Sequence, residues 1–348
     1  MNFKNYDLVL ITDEKERLYF LGFHSTAGYV LITPEKKYFV VDDRYVKAAE
    51  KALTKKGIKV LRGSDYSFLK QFAEENGYKT IAVDFTKITV SEYEEMKKLG
   101  FEYVDASVEI RDEMSIKTDE EIKYIAKACD IAERAWKETL PFIKAGVTER
   151  EVANELEYNF KKFGASGTSF DTIVAFGKNA AVPHHETGET KLKDNECVLM
   201  DFGCLYKGYC SDMTRTMFYG EPTEAFRKAY LAVLTAHTKA AEGIKEGISG
   251  KEADKIARDL LESLGYGKYF THSLGHGIGV NFHEYPTLSP RCEARLKNNM
   301  VFSNEPGVYI NGKFGIRIED SCHLVNGKYK SFMKDDKSLV VIGENGEI

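Results

Sequence analysis

No run in this 348-residue chain approaches the roughly 20 apolar residues of a bilayer span, so no membrane passage is expected. The opening residues, MNFKNYDLVLITDEKE, lack the basic flank, long apolar stretch and small-residue cleavage site of a secretory signal. Cysteine is sparse. Cys129, Cys197, Cys204, Cys210, Cys292 and Cys322 form no C-x-x-C pair and no disulfide framework, which points to reduced thiols in a cytoplasm. Charge of one sign is lacking too: a net charge of −5 leaves no electrostatic footprint for a nucleic acid. What is there, 43% hydrophobic and 30% charged residues, is the make-up of a soluble globular protein. The length exceeds one ordinary core, so two domains are expected.

Residues 1–112 alternate short stretches rich in Val, Ile, Tyr and Phe (YDLVLIT, GYVLIT, KYFVVDD, IKVLRG, TIAVDF) with helical ones, several closed by glycine. This predicts a small α/β domain. It carries no glycine-rich phosphate loop and no metal cluster, so the chemistry is expected in residues 113–348. That second domain opens on an amphipathic helix announced by the capping-box pair Thr118 and Glu121. The chain then repeats itself. IKAGVTEREVA (143–153) matches IKEGISGKEAD (244–254) at an offset of 244 − 143 = 101. Thr148 with Glu151, and Ser249 with Glu252, start a helix in each copy, and Gly164 and Gly265 stop them. Downstream, KLKDNECVLMDFG (191–203) aligns with RLKNNMVFSNEPG (295–307), which sets Asp201 on Glu305. A turn signal and a second acid follow each, Asp212 or Glu319. Each half reads helix, helix, hairpin, with a carboxylate on each arm.

Asp201 and Asp212 flank a turn at Tyr206-Lys207-Gly208 and are expected close to opposite one another, where like charges destabilise a strand pair. Four converging carboxylates need compensation, and two divalent cations supply it. THSLGHGIGVNFHEYP (271–286) adds His272, His276 and His283 among glycines. Carboxylates with one imidazole suit Mn²⁺, Co²⁺ or Fe²⁺, and a paired site activates a shared water. Each element alone has a plainer reading: turn-flanking acids at 201 and 212, a turn at EPG (305–307), a solvated strand end at RIED (317–320), a structural His276. Cys204 and Cys210 read as packing residues, and His24 and His237 as structural. The duplicated placement of the acids favours the metal reading.

With these motifs in place, the sequence resembles the pita-bread metallopeptidases, the group of Xaa-Pro aminopeptidases, Xaa-Pro dipeptidases, methionine aminopeptidases and creatinase. The resemblance rests on MDFG…SDMTRT, HSLGHGIG…HE, NEPGVY and GIRIED, on the order Asp, Asp, His, Glu, Glu, and on gaps of 11, 64, 29 and 14 residues. It covers essentially the whole chain and implies an α/β N-terminal domain (1–112) followed by an α+β pita-bread domain (113–348) with internal pseudo-two-fold duplication. It implies metal ligation by Asp201, Asp212, His276, Glu305 and Glu319, with Asp212 and Glu319 bridging two ions. Mn or Co is the first choice, Fe or Zn the alternative. Glu305 is implied as general base and proton shuttle, His283 as the group that steadies the oxyanion, and His184 in AVPHH as a substrate-side histidine. His272, Arg317 and Tyr309 are implied as substrate-binding positions. Two departures stand out: Phe176, where relatives commonly carry Ser, is expected to border the pocket, and His185 follows His184.

The reading that follows is a cytoplasmic Xaa-Pro aminopeptidase acting on small peptides with proline second, without a nucleic-acid or membrane partner. The resemblance adds a homodimer. The alternatives are an Xaa-Pro dipeptidase, then a creatinase-like hydrolase of a non-peptide amide, then a non-catalytic binding module.

Overall fold

The β-branched and aromatic stretches of the first 112 residues pair into one six-stranded sheet. Its order is Lys59–Arg62, Lys37–Val41, Tyr29–Ile32, Val9–Ile11, Thr80–Val83, Glu102–Asp105. The inner steps from Val9 to Val41 are antiparallel, and the parallel steps are served by helices Val46–Leu53, Ser67–Asn76 and Val90–Lys97. The glycine that ends each helical stretch, Gly57, Gly77 or Gly100, takes a positive φ that costs it no side-chain clash. Helix Glu14–Leu21, capped by Asp13, and the edge strand Glu102–Asp105 carry no signal read from the sequence. The computed structural model describes residues 3, 5–63 and 65–343, and falls into two compact units, Met1–Met114 and Ser115–Ile348.

The second unit is the duplicated one. Capping boxes start helices Asp119–Thr139, Glu149–Lys162 and Gly250–Ser263 at Thr118, Thr148 and Ser249, as the sequence predicts. The central sheet runs Glu284–Leu288, Gly275–Gly277, Val301–Asn304, Glu319–Val325, Met213–Tyr219, Glu196–Phe202, Ile173–Phe176. Strands Glu196–Phe202 and Met213–Tyr219 form the hairpin of the first half, and Val301–Asn304 with Glu319–Val325 that of the second. The halves are sewn together where Met213 pairs with Asp320 and Thr214 with Glu319. Helices Glu224–Gly243 and Gly250–Ser263 present Ala229, Val233, Ala236, Ala253 and Ala257 to a core shared with Phe218, Phe302 and Leu324. Small residues on the helices let them lie close over the sheet. Among the described residues no helix is long and apolar enough to cross a membrane.

Candidate active site

Strand register, more than loop geometry, assembles the acids. In the first hairpin Asp201 stands opposite Thr214, so Asp212 is offset from Asp201 by two residues instead of facing it. The turn at Lys207 and Gly208, both at positive φ, fixes that register. Thr214 faces Glu319 across the seam. In the second hairpin Asn304 lies opposite Asp320 and Gly307 opposite Arg317, which sets Glu305 level with Glu319. One transverse row therefore reads Asp201, Thr214, Glu319, Glu305. Serines shape the neighbouring row, where Ser303 pairs with Ser321. Ser303 Oγ accepts the His276 N–H at 3.0 Å and donates to Glu305 Oε1 at 2.9 Å. Ser321 Oγ accepts the Asp212 N–H at 3.0 Å and donates to its carbonyl at 2.7 Å.

Asp212, His276 and Glu319 offer ligand atoms all within 4.8 Å of one another, an arrangement that could hold a metal ion. His276 donates from Nδ1 to the Gly277 carbonyl at 3.1 Å, which aims Nε2 at Asp212 Oδ2 (3.6 Å) and Glu305 Oε1 (3.3 Å). Asp201 joins from the side, paired with the buried Arg317 guanidinium.

The electrostatics ask for a cation. Burial, then Glu319, pushes Asp212 well above the usual carboxylate range; burial, then Glu305 and Asp201, does the same to Glu319. Asp201 Oδ1, Asp212 Oδ1 and Glu319 Oε1 are buried with no hydrogen-bond partner. Unsatisfied buried carboxylate oxygens are costly, and divalent cations are their natural partners. The residues thus fit the divalent metal that the family resemblance implies. Burial would raise Glu305 as well, but the hydrogen bond and charge of His276 hold it at about 2.

These groups line a cavity of about 620 Å³ whose wall also carries His184, His272, His283 and Arg317. Burial and the neighbouring His276 lower His283 to about 4, so its ring is neutral at pH 7. Tyr309 is absent from the lining, contrary to its expected substrate contact. It is buried behind the wall, where Arg317 Nη1 donates to its hydroxyl at 2.7 Å and the hydroxyl meets His272 Nε2 at 2.8 Å. Its place orients two groups that do reach the cavity.

Phe176 is a second correction. It is 1% exposed and lines a separate cavity of about 450 Å³ with Phe218 and Phe226. It lies an odd offset of 176 − 173 = 3 positions from Ile173, and alternation sends only Ile173 to the site cavity. His185 also turns away, to Glu149. The apolar wall comes instead from Phe170, Ile173 and Phe282, with the two phenyl rings 5.3 Å apart. Thr214 has no role in the motifs above, yet its hydroxyl accepts from Arg317 Nε at 3.0 Å and donates to Glu319 Oε2 at 2.6 Å. Counting back from the Lys207-Gly208 turn would have set it opposite Asp201.

A model described as metallopeptidase family M24 matches residues 123–326, and one described as the creatinase/prolidase N-terminal domain matches residues 1–113. The chain belongs to metallopeptidase family M24. It has the pita-bread fold and is a metallo-exopeptidase; enzymes of this family use divalent metals. The M24 chain is 37% identical to an Xaa-Pro dipeptidase of Pyrococcus horikoshii over 98% of its own length and 96% of the relative's. Its structure superposes on the Xaa-Pro dipeptidase from Bacillus anthracis with a TM-score of 0.93 at 38% identity, covering 97% of this chain and 95% of the other. The X-Pro aminopeptidase from Thermotoga maritima gives 0.91 at 34% identity, covering 97% and 98%.

Proposed function

We propose that this M24 metallopeptidase is an Xaa-Pro dipeptidase, a prolidase, of the cytoplasm. The aminopeptidase expectation yields first place because Xaa-Pro dipeptidases and prolidases recur among the similar proteins. Aminopeptidase action remains the second reading, favoured by the Thermotoga maritima likeness. The observation that carries the proposal is the convergence of four carboxylates and His276 on one cavity beside neutral, cavity-lining His283.

In this reading Asp201, Asp212, His276, Glu305 and Glu319 would hold two divalent cations, Mn²⁺ or Co²⁺ first and Fe²⁺ or Zn²⁺ as alternatives, with Asp212 and Glu319 serving both. Such ions supply Lewis acidity and make water acidic enough to attack at neutral pH. Glu305 takes the proton released as water adds to the scissile carbonyl and gives it to the leaving prolyl nitrogen. His283 donates an N–H to the oxyanion. His184, His272 and Arg317 bind the substrate's polar ends, and Tyr309 orients the latter two. The bond before proline has no N–H, so the wall opposite needs no acceptor; Phe170, Ile173 and Phe282 offer the ring an apolar surface. The working domains are 1–112 and 113–348, and the assembly is a homodimer.

Hydrolysis of Ala-Pro, Ala-Pro-Ala, Ala-Ala-Ala and Met-Ala-Ala by Mn²⁺-loaded protein tests this. Ala-Pro is expected to be cleaved fastest. Faster cleavage of Ala-Pro-Ala moves the protein to the aminopeptidase reading, and inertness to both proline peptides removes the Xaa-Pro reading altogether.

A further inference from the structure

Glu149 is the first residue of helix Glu149–Lys162 and is fully buried. A buried carboxylate persists only when its oxygens are satisfied. Four donors reach it, all from residues 176–188. The Phe176 N–H (2.9 Å) and Asn179 Nδ2 (2.8 Å) meet Oε1; His185 Nε2 (2.9 Å) and the Gly188 N–H (3.2 Å) meet Oε2. These anchors fall on both sides of His184, which lines the site cavity and makes no side-chain hydrogen bond among the described residues. From the cavity side, Arg317 Nη1 approaches the Pro183 carbonyl at 3.5 Å. The backbone around His184 is thus fastened while its imidazole stays free.

The second half of the duplication starts the same helix with no carboxylate at this place. Gly250 occupies the equivalent place, with Ser249 and Thr148 as matching caps. The Glu149 N–H donates to the Thr190 carbonyl, and the Gly250 N–H to the Ala294 carbonyl. At Gly250 a Cβ would come 2.2 Å from the Thr287 carbonyl oxygen, so that loop packs on bare backbone. Only the half that carries His184 places a carboxyl group here.

We propose that Glu149 and His185 are positioning residues that fix His184 against bound substrate, a proposal that rests on the Xaa-Pro reading. Without the pair, the 182–188 segment has to be ordered at the expense of substrate binding, so KM carries the effect. His185→Ala is expected to raise KM for Ala-Pro roughly tenfold, with kcat changed less than about threefold and metal content unchanged. His185→Gln, whose amide again offers Glu149 a donor, restores most of the loss. Because the pair acts through His184, His185→Ala adds nothing further in a His184→Ala background. Additive effects in that double variant, or an unchanged KM in His185→Ala, overturn the proposal. Glu149→Gln, with folding checked by urea melting, is expected to repeat the non-additivity; additivity there overturns it equally. Wild-type protein inert to Ala-Pro and Ala-Pro-Ala removes the Xaa-Pro reading, and this proposal with it.

Discussion

The two halves of the M24 unit begin the same helix in the same way and then fasten different segments by different means. In the first half, Glu149 at the helix start gathers residues 176–188, which carry His184. In the second, the start is Gly250, and the buried anchor sits one turn further on. Asp254 accepts the Leu274 N–H at 2.9 Å and pairs with Arg258, whose guanidinium donates to the carbonyls of Phe270 and His272. The counterpart of Asp254 at an offset of 101 is Ala153, an apolar residue. Duplication therefore preserved the scaffold and left each half to secure its own histidine. The acids at the centre differ in another way: each half supplies carboxylates that are incomplete without the other.

The comparison is broken most severely at the centre. Asp212→Ala and Glu319→Ala, one from each half, are both expected to abolish hydrolysis and to weaken retention of both ions in elemental analysis, whereas Asp201→Ala chiefly weakens one. Glu319→Ala protein that keeps two tightly bound ions would contradict the sharing. His283→Ala comes next: kcat is expected to fall about 10²-fold or more with both ions retained. A rise in KM alone would reassign His283 to binding. Third, Asp254→Ala removes the second-half anchor and is expected to cost about 1–3 kcal/mol in urea unfolding, because the Leu274 N–H and Arg258 lose their acceptor. An unchanged midpoint would show that His272 is held by other means.

A pH-dependent effect is expected in the unit outside the duplication. Glu16 is 3% exposed, and burial, then its hydrogen bond to and the charge of Asp84, with Asp13 adding and Lys87 opposing, raises its pKa from 4.5 to about 9. A carboxyl raised on folding stabilises fully below its unfolded value of 4.5, and that contribution is lost as pH climbs towards about 9. Glu16→Gln should flatten this slope between those limits. An identical slope in the variant would exclude Glu16 as its source.

Much of the centre was legible because it is written in short-range signals. Capping boxes at Thr118, Thr148 and Ser249, the Lys207-Gly208 turn and strand alternation each span a few residues, and the repeat multiplies their weight. The sequence does not display contacts that depend on packing between distant segments. Tyr309 sits behind the cavity because Arg317 and His272 converge on its hydroxyl from 8 and 37 positions away. Phe176 faces another cavity because its strand pairs with Glu196–Phe202 in one particular register. Glu149 finds partners 27 to 39 positions along the chain, with no local pattern to announce it.

The seam between the halves is two residue pairs wide, Met213 with Asp320 and Thr214 with Glu319. Asp201 and Glu319 are separated by 319 − 201 = 118 positions, so loop closure precedes any reward from their meeting. During synthesis the first hairpin leaves the ribosome long before its counterpart exists, and its two aspartates have no complete site to offer. In the proposed site, ion capture would therefore require both halves to have docked. Metal retention would then report, molecule by molecule, that the second half has joined the first.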